Sequence, residues 1–428
     1  MARSFRSFVW SLRSRKPAEM ARALRHTAAF SGFGQSRLFR GPDVPLGDLA
    51  VEASLAAIAD AGLTLDQVDG VVCTPDAPFS RGDSADGTEF VSTRYLIEAL
   101  GLQPRWSADV PGMISNSALA AIQAVEAGEC NYALLFRALH NPGSGNYGHT
   151  EETKTDEIQL SGTDVHYTIE QFRASYGLYP PSDAAALPWS QYQARYNSGS
   201  REQMAALVTQ LRRNGLGFEG SYWAQYKPVE LSVDDYLNAR MVSRPVSIFD
   251  CDIPVQGAAA YIVTTAERAK DLAQPAAYVR GVAGPVPPRG KVTVDEALDE
   301  QMADFRDMGR RLFGDAGCGP GDISVANLYD GFSLMPILWL EALGLCGEGE
   351  GFDFIQDGRI APGGALPINP SGGNLGGGRL HGVNHFMDAM LQVSGRSGTR
   401  QIAGANLAIV TIGISWAGGA FLFGTEPG

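Results

Sequence analysis

The sequence has few cysteines, and they form no recognisable motif. Its 428 residues include five, at positions 73, 130, 251, 318 and 346, and no two of them make a Cys-x-x-Cys pair. An odd and scattered set of this kind argues against a disulfide framework and against a zinc site. We therefore expect reduced, buried thiols in a cytoplasmic protein that holds no metal.

Positive charge and long apolar runs are also scarce. The chain has 34 Lys and Arg residues against 47 Asp and Glu residues, for a formal net charge of -13. Such a surface repels phosphate groups over most of its area, which argues against nucleic acid and anionic membranes as partners. No apolar run is long enough and clean enough to span a bilayer.

The common nucleotide and hydrolase motifs are missing. The sequence contains no GxxxxGK[ST], no HExxH and no Rossmann-type GxGxxG that both follows a strand and opens a helix. Gly413-Ile414-Ser415 begins like a GxSxG elbow, but the pattern fails at Ala417, and a core strand is the better interpretation. A tightly bound cofactor is therefore not expected.

The first 25 residues differ in composition from the rest. They carry seven basic residues and one acid, Glu19, with Ser and Arg interleaved. A mitochondrial-type transit peptide would have this composition. An extension without a role in the fold is the favoured alternative, because Met20 could itself begin the chain.

Strand and helix patterns alternate along the remainder. Apolar strands and amphipathic helices follow one another up to residue 139, a pattern typical of parallel α/β architecture. Residues 140–233 are polar and rich in Tyr, Ser and Gly, with one strong helix at 201–214, and indicate a long insertion. The alternation resumes at 258–265 and repeats to the C-terminus. We predict two duplicated βαβ-type halves, 26–275 and 276–428.

Four local patterns could carry chemistry, and each has a structural alternative. Residues 112–122 place Ser-Asn-Ser before an alanine-rich helix, as either a side-chain cap or an anion-binding helix start. Residues 327–332 end a strand with Tyr-Asp-Gly, where Tyr329 and Asp330 either face a ligand crevice or serve as packing and a helix cap.

The other two patterns are rich in glycine. Residues 369–385 combine many glycines with Arg379, His381, Asn384 and His385, either as a ligand-binding segment or as a surface loop. Residues 415–421 contain Gly418-Gly419 between two apolar strands. They form either a source of oxyanion-binding N–H groups or a tight hairpin turn.

These patterns occur in the order and spacing of the thiolase superfamily, and the chain resembles its sterol-carrier and lipid-transfer branch from His26 onward. Residues 200–217, 232–264 and 329–346 carry the likeness. The resemblance implies a thiolase fold, with two duplicated βαβαβ-type halves in a five-layer αβαβα arrangement and a loop-domain insertion. It also implies a homodimer.

The sequence departs from thiolases at each position that performs thiolysis. Ser115 stands where thiolases carry the acylated cysteine, Tyr329 where they carry asparagine or histidine, and Arg379 where they carry histidine. The second catalytic cysteine falls on Ser415 or Trp416. Thiolysis is therefore not expected.

The chain is instead similar to the thiolase-like aldolases of steroid side-chain degradation, which combine a tyrosine in a YDxF block with an HGxN block. Here these are Tyr329 and His381 to Asn384. The resemblance implies retro-aldol cleavage of a β-hydroxyacyl-CoA, with coenzyme A as part of the substrate. It also implies a small partner protein with an OB-fold and a zinc ribbon. Arg379 departs from a second tyrosine that some of these aldolases carry.

A proton-transfer mechanism fits these residues. Tyr329 is the candidate base or relay, and a cation within about 4–6 Å would lower its pKa, which is about 10 when unperturbed. We hypothesise that Arg379 lowers this pKa or binds the enolate, while His381 and Asn384 orient substrate or move the proton. Backbone N–H groups at Ser115, Gly418 and Gly419 would form the oxyanion hole. A non-catalytic acyl-CoA-binding subunit and a Ser115-dependent acyltransferase are the alternatives.

Overall fold

The computed structural model describes residues 26–41, 44–75, 85–140, 181–286, 297–413 and 418–428. The predicted leader at 1–25 and part of the predicted insertion lie outside these ranges. The strands are β1 Ala28–Gln35, β2 Gly70–Cys73, β3 Trp106–Asp109, β4 Ala133–Leu139, β5 Met241–Ser243, β6 Val246–Ser247, β7 Gly257–Thr265, β8 Ala277–Ala283, β9 Val325–Asn327, β10 Leu407–Ile412 and β11 Gly419–Gly424. The helices are α1 Leu46–Asp60, α2 Thr93–Leu100, α3 Ile114–Ala127, α4 Pro181–Tyr196, α5 Arg201–Leu216, α6 Tyr222–Tyr226, α7 Val233–Leu237, α8 Ala266–Ala269, α9 Leu298–Ala316, α10 Leu334–Ala342, α11 Gly351–Phe354, α12 Gly373–Gly377 and α13 Val383–Val393.

Nine strands form one mixed sheet in the order β3-β2-β4-β7-β1-β8-β11-β10-β9. The pairs β2–β3, β2–β4 and β9–β10 are parallel, and the other neighbours are antiparallel. The expectation of parallel architecture is therefore wrong for the middle of the sheet. The cause is that β7 returns antiparallel after the insertion, and β10 and β11 pair antiparallel as consecutive strands.

The sheet has an internal repeat about its centre. β1 meets β8 there through a short antiparallel pairing at Ala29–Tyr278 and Phe30–Ala277. From this pairing outward, each side has two antiparallel pairs followed by a parallel one. The repeat agrees with a duplicated unit, while the proposed boundary between residues 275 and 276 stays a prediction.

Helices pack on the sheet, and two of them contact both of its sides. α1 packs on β1, β4 and β7, and α9 packs on β8 and β11, while α3 and α13 each contact strands of both sides. An aromatic cluster joins β1, α13 and β11, with ring centroids 5.1 Å apart for Phe30 and Phe423 and 4.8 Å apart for Phe386 and Phe421. Buried aromatic pairs of this kind stabilise a core beyond their area alone.

The insertion holds more helix than the sequence predicted. The expected helix at 201–214 is present as α5, but α4, α6 and α7 were not predicted. Pro188 inside α4 and the short lengths of α6 and α7 weaken the helical signal, so tertiary packing decides these segments. Within the described ranges, no helix is long and apolar enough to cross a membrane.

His26 joins the start of β1 to two helices. Its Nδ1 lies 3.2 Å from Glu126 of α3, and its Nε2 lies 2.9 Å from Asp315 of α9. The two carboxylates raise the pKa of His26 to about 9. The ion pairs therefore stabilise the fold fully below the unfolded value of 6.5, and this stabilisation is lost as the pH rises through about 9.

We expect His26→Gln to lower the free energy of unfolding by about 1–2 kcal/mol at pH 6, since the partly buried pairs are lost. Chemical denaturation at a series of pH values measures this difference. The difference should shrink toward zero by about pH 10, where wild-type His26 is neutral as well. A pH-independent difference would show that the ion pairs are not its cause.

Candidate active site

Tyr329 lies just beyond the carboxyl end of β9, near the middle of the molecule. Its backbone N–H donates to the Thr411 hydroxyl at 3.0 Å, and the neighbouring Leu328 exchanges two hydrogen bonds with the Asn369 side chain at 2.8 and 2.9 Å. Tyr329 is only 6 % exposed, and its hydroxyl has no hydrogen-bond partner among the described residues. These hydrogen bonds fix the polypeptide around the ring and leave the hydroxyl out of the network.

Asp330 fixes the glycine-rich segment next to this tyrosine. Its carboxylate accepts the backbone N–H groups of Asn374 at 2.7 Å and Leu375 at 3.2 Å, and the His385 Nε2–H at 2.9 Å. Both Asp330 and His385 have fully buried side chains. The hypothesis that Asp330 caps the helix that follows it is wrong, because α10 begins after Ser333.

The glycine-rich segment 369–385 is part of the interior. All of its residues are buried except Arg379 and His381, which are partly exposed. The surface-loop alternative is therefore wrong. Because the neighbouring residues are buried, these two side chains mark the place where the segment meets open space.

Asn384 braces the same segment from within. Its Nδ2 donates to the carbonyl groups of Gly373 at 3.1 Å and Gly378 at 3.2 Å. The side chain is 1 % exposed, and its Oδ1 has no partner among the described residues. Positioning of the segment is thus visible in the structure, and a direct part in catalysis stays a prediction.

Arg379 is held beside the tyrosine by its backbone and by a carboxylate. Its N–H donates to the Ile253 carbonyl at 2.7 Å, and its Nη1 lies 3.8 Å from the Asp252 Oδ1. The side chain of Arg379 is 19 % exposed, whereas that of Asp252 is 3 % exposed. Asp252 belongs to this site, although no sequence motif pointed to it.

The pKa of Tyr329 is raised above its ordinary value of 10.0, chiefly by burial and then by the Asp252 carboxylate. Arg379 and Arg137 act in the opposite direction, as expected of cations. The hypothesis that Arg379 brings this pKa below its usual value is therefore wrong for the net effect. Burial outweighs the cations, and the resting side chain is a neutral phenol.

His381 has a backbone conformation that non-glycine residues seldom adopt. Its φ is +49°, and backbone strain of this kind is concentrated at functional sites. Its Nδ1 lies 3.0 Å from the Nη2 of Arg137, a residue of β4 that is 1 % exposed. Burial and then the two guanidinium groups of Arg137 and Arg379 lower the pKa of His381 well below 6.5, so its ring is neutral.

Of the predicted oxyanion residues, Ser115 lies at the start of α3 and Gly419 begins β11. Ser115 is inside the first turn, and the N-cap residue is Met113, which makes no side-chain capping bond. The hypothesis of a Ser-Asn-Ser cap is therefore wrong. A Cβ built on Gly419 would lie 3.1 Å from the Ser115 Cβ, so β11 comes directly against this turn. An oxyanion role for these N–H groups and for Gly418 stays a prediction, and Ser415 and Trp416 lie outside the described residues.

The start of α3 also contacts the segment that carries His381. A Cβ built on Gly382 would lie 3.3 Å from the Ile114 Cγ2. The structure therefore brings together residues from the end of β9, the glycine-rich segment and the start of α3. Arg137 contacts His381 at 3.0 Å, and the positive charges of Arg137 and Arg379 act on the pKa values of both Tyr329 and His381.

The sequence interpretation missed Arg137, and a signal for it was present. Arg137 is the one charged residue in a seven-residue strand, β4, that is otherwise apolar. A charge is costly in such a strand unless it is paired, so its presence indicates a function. Its hydrogen bonds to the Thr74 carbonyl at 3.0 Å and to His381 supply that pairing.

Comparison with known proteins agrees with this architecture. Residues 291–420 match the thiolase C-terminal domain-like family. The chain is 31% identical over 372 residues, 85% of its length and 90% of the relative's, to 17-hydroxy-3-oxo-4-pregnene-20-carboxyl-CoA lyase of Mycobacterium tuberculosis. It is 28% identical over 403 residues, 93% of its length and 98% of the relative's, to a steroid side-chain-cleaving aldolase of Thermomonospora curvata.

A solved structure, that of the Ltp2-ChsH2(DUF35) aldolase, superimposes with a TM-score of 0.79 and 26% identity. It covers 94% of this chain and 98% of its own. The α/β thiolase fold expected from the resemblance is confirmed. The chain belongs to the thiolase-like family that contains these steroid side-chain-cleaving lyases.

Proposed function

We propose that this chain is a carbon–carbon lyase that cleaves a β-hydroxyacyl-CoA by a retro-aldol reaction. The products are a ketone or aldehyde and a shorter acyl-CoA, and the acyl chain is of the steroid side-chain type. The observation that carries the proposal is the position of Tyr329, whose hydroxyl has no partner among the described residues beside two arginines in a thiolase-like site. The names of two full-length relatives support the reaction class.

The state of the thiols supports a reaction without a cysteine nucleophile. The pKa of each of the five cysteines is raised, chiefly by burial. Cys251 is the one adjacent in sequence to the site residue Asp252, and its thiol donates to the Ser247 carbonyl at 3.6 Å. Because the thiolate is the reactive form, none of these groups is prepared for acyl transfer.

The retro-aldol step balances within the substrate. A proton leaves the β-hydroxyl, the C–C bond breaks to form the new carbonyl, and its electron pair passes to the α carbon and the thioester oxygen as an enolate. Protonation of the α carbon then completes the shorter acyl-CoA. The number of protons taken equals the number returned, so one relay group is sufficient and no oxidant or water is consumed.

Tyr329 is the relay in this proposal. The phenol passes its own proton to the α carbon and takes the β-hydroxyl proton in its place, while Arg379 and Arg137 stabilise the negative charge that develops on its oxygen. Asn384 and Asp330 hold the segment that presents Arg379 and His381. The backbone at Ser115, Gly418 and Gly419 supplies N–H groups for the thioester oxygen.

The protein partners are part of the proposal. We propose a homodimer core that binds a small protein with an OB-fold and a zinc ribbon, and no tightly bound cofactor besides the coenzyme A of the substrate. The support is the Ltp2-ChsH2(DUF35) aldolase, whose name includes a second protein. Activity assays should therefore be made with and without a co-expressed protein of this kind.

The test is turnover of a β-hydroxyacyl-CoA with a bulky tertiary alcohol, followed by mass spectrometry. We expect equal amounts of ketone and shorter acyl-CoA, and no acyl group on the protein. Binding without turnover, even with the partner, would establish a non-catalytic subunit. A mass increase that disappears in Ser115→Ala would establish an acyltransferase, although Ser115 is 2 % exposed and its hydroxyl contacts only Asn116, at 3.4 Å, among described side chains.

Replacing Arg379 with Leu should move the pH dependence of kcat/KM to higher pH. The guanidinium favours the phenolate of Tyr329, so its loss raises the pKa of that phenol further. The alkaline fall of the profile, where the phenol loses the proton that the relay needs, then begins at higher pH. Arg379→Lys keeps the charge and should restore much of the profile, whereas identical profiles for all three proteins would discard the electrostatic role.

A further inference from the structure

In the contact between Arg137 and His381, the donor and the acceptor can be assigned without ambiguity. The Arg137 Nη2 lies 3.0 Å from the His381 Nδ1. A guanidinium has five N–H donors and no acceptor, and it stays protonated in proteins. The imidazole nitrogen in this bond must therefore be the acceptor, so Nδ1 carries no proton.

The proton of a neutral imidazole then lies on the other ring nitrogen. Nε2 has no hydrogen-bond partner among the described residues, and His381 is one of the two partly exposed members of the segment 369–385. A second proton on the ring would leave Nδ1–H facing the guanidinium, and Arg379 adds a further positive charge nearby. The contact thus selects one tautomer of a neutral ring.

We infer that Arg137 is a positioning residue that fixes His381 as the Nε2–H tautomer, so that His381 donates a hydrogen bond to the thioester oxygen as the enolate forms. The inference rests on the proposed lyase reaction for its substrate. In this role His381 is an electrophile and does not act as a base, and proton transfer is left to Tyr329.

The position of Arg137 in the fold indicates that its contact with His381 is held in place. It lies in the middle of a buried strand, it is 1 % exposed, and its Nη1 donates to the Thr74 carbonyl at 3.0 Å. The guanidinium is therefore held from one side while it faces His381 on the other. The φ of +49° at His381 shows that the surrounding structure also holds the backbone from which the ring extends.

The tautomer can be measured without any assay of activity. We would label the full-length protein with 15N-histidine and assign His381 by comparison with His381→Gln among the six histidines. At pH 7 we expect a neutral ring with its proton on Nε2. A proton on Nδ1, or on both nitrogens, would overturn the inference even if the lyase reaction were established.

Variants of Arg137 connect the tautomer to catalysis. Arg137→Met removes the donor, so we expect a mixture of tautomers and a kcat about 100-fold lower with little change in KM. Arg137→Lys keeps one cationic donor and should retain the Nε2–H tautomer and more of the activity than Arg137→Met does. Arg105→Met, which removes a side chain that is 59% exposed, is the matched control. It should leave both the His381 tautomer and kcat unchanged.

The two proposals fail separately. If Arg137→Met has a wild-type kcat or keeps the pure Nε2–H tautomer, the positioning role is wrong. If Arg137→Met does not fold, the tautomers in the wild type and in Arg137→Lys decide the matter. If the wild type has the Nε2–H tautomer but no variant or complex ever releases ketone, the lyase function is wrong.

Discussion

Replacing Tyr329 with Phe should lower kcat for ketone release by about 10²–10⁴-fold, the range by which a positioned proton-transfer group accelerates a reaction. The change removes one oxygen atom and keeps the ring in place. Because the hydroxyl has no partner among the described residues, no hydrogen bond between them is lost, and the thermal midpoint should hardly move. Steady-state assays of ketone release, with the partner protein present, measure the effect on kcat.

Tyr192→Phe is the matched control for this experiment. Tyr192 is also a buried tyrosine, but its hydroxyl donates to the Glu341 carboxylate away from the site. Its loss should lower the free energy of unfolding by about 1–3 kcal/mol, since the buried Glu341 carboxylate loses one of its hydrogen-bond donors, while kcat stays near that of the wild type. Near-wild-type turnover by Tyr329→Phe would remove Tyr329 from the mechanism.

The electrostatic balance of the site explains why a neutral phenol can still serve as the relay. Asp252 and burial favour the phenol, whereas Arg137 and Arg379 favour the phenolate. A pKa above the ordinary range keeps the proton on the oxygen at rest, and the cations reduce the cost of removing it during the reaction. Such a site avoids a permanently exposed base but still permits transient ionisation.

The sequence predicted the alternation of strands and helices up to residue 139 and again from residue 258, because those elements have strong apolar patterns, but it missed β3 and β8. It did not predict strand direction, since the antiparallel return of β7 depends on how the insertion leads the chain back. It also did not predict α4, whose helical pattern is interrupted by Pro188. The direction of a strand and the presence of a weakly patterned helix both depend on contacts between residues that are distant in sequence.

The site was predicted in part. The residue types at 329, 379, 381 and 384 pointed to proton transfer, and the structure places three of them, Tyr329, Arg379 and His381, in one site. The pKa direction of Tyr329 was predicted wrongly, because it depends on burial and on Asp252, neither of which a local motif reveals. Arg137 was missed because its partner His381 is far away along the chain.

Asp330→Ala should produce the largest loss of stability of any single change at the site. It removes the acceptor of two backbone N–H groups, at Asn374 and Leu375, and the buried partner of His385. Breaking a buried pair of this kind costs about 3–5 kcal/mol, because the remaining groups cannot reach water. Urea denaturation measures the loss, and kcat should fall as well, since the segment anchored by Asp330 carries Arg379 and His381.

A double-mutant cycle with His385→Leu identifies the cause of that loss. If the Asp330–His385 contact carries a large part of it, Asp330→Ala should cost less in the His385→Leu background by about 1–3 kcal/mol. The part that remains measures the two backbone hydrogen bonds. A loss below about 1 kcal/mol for Asp330→Ala would instead mean that the glycine-rich segment holds its position without this carboxylate.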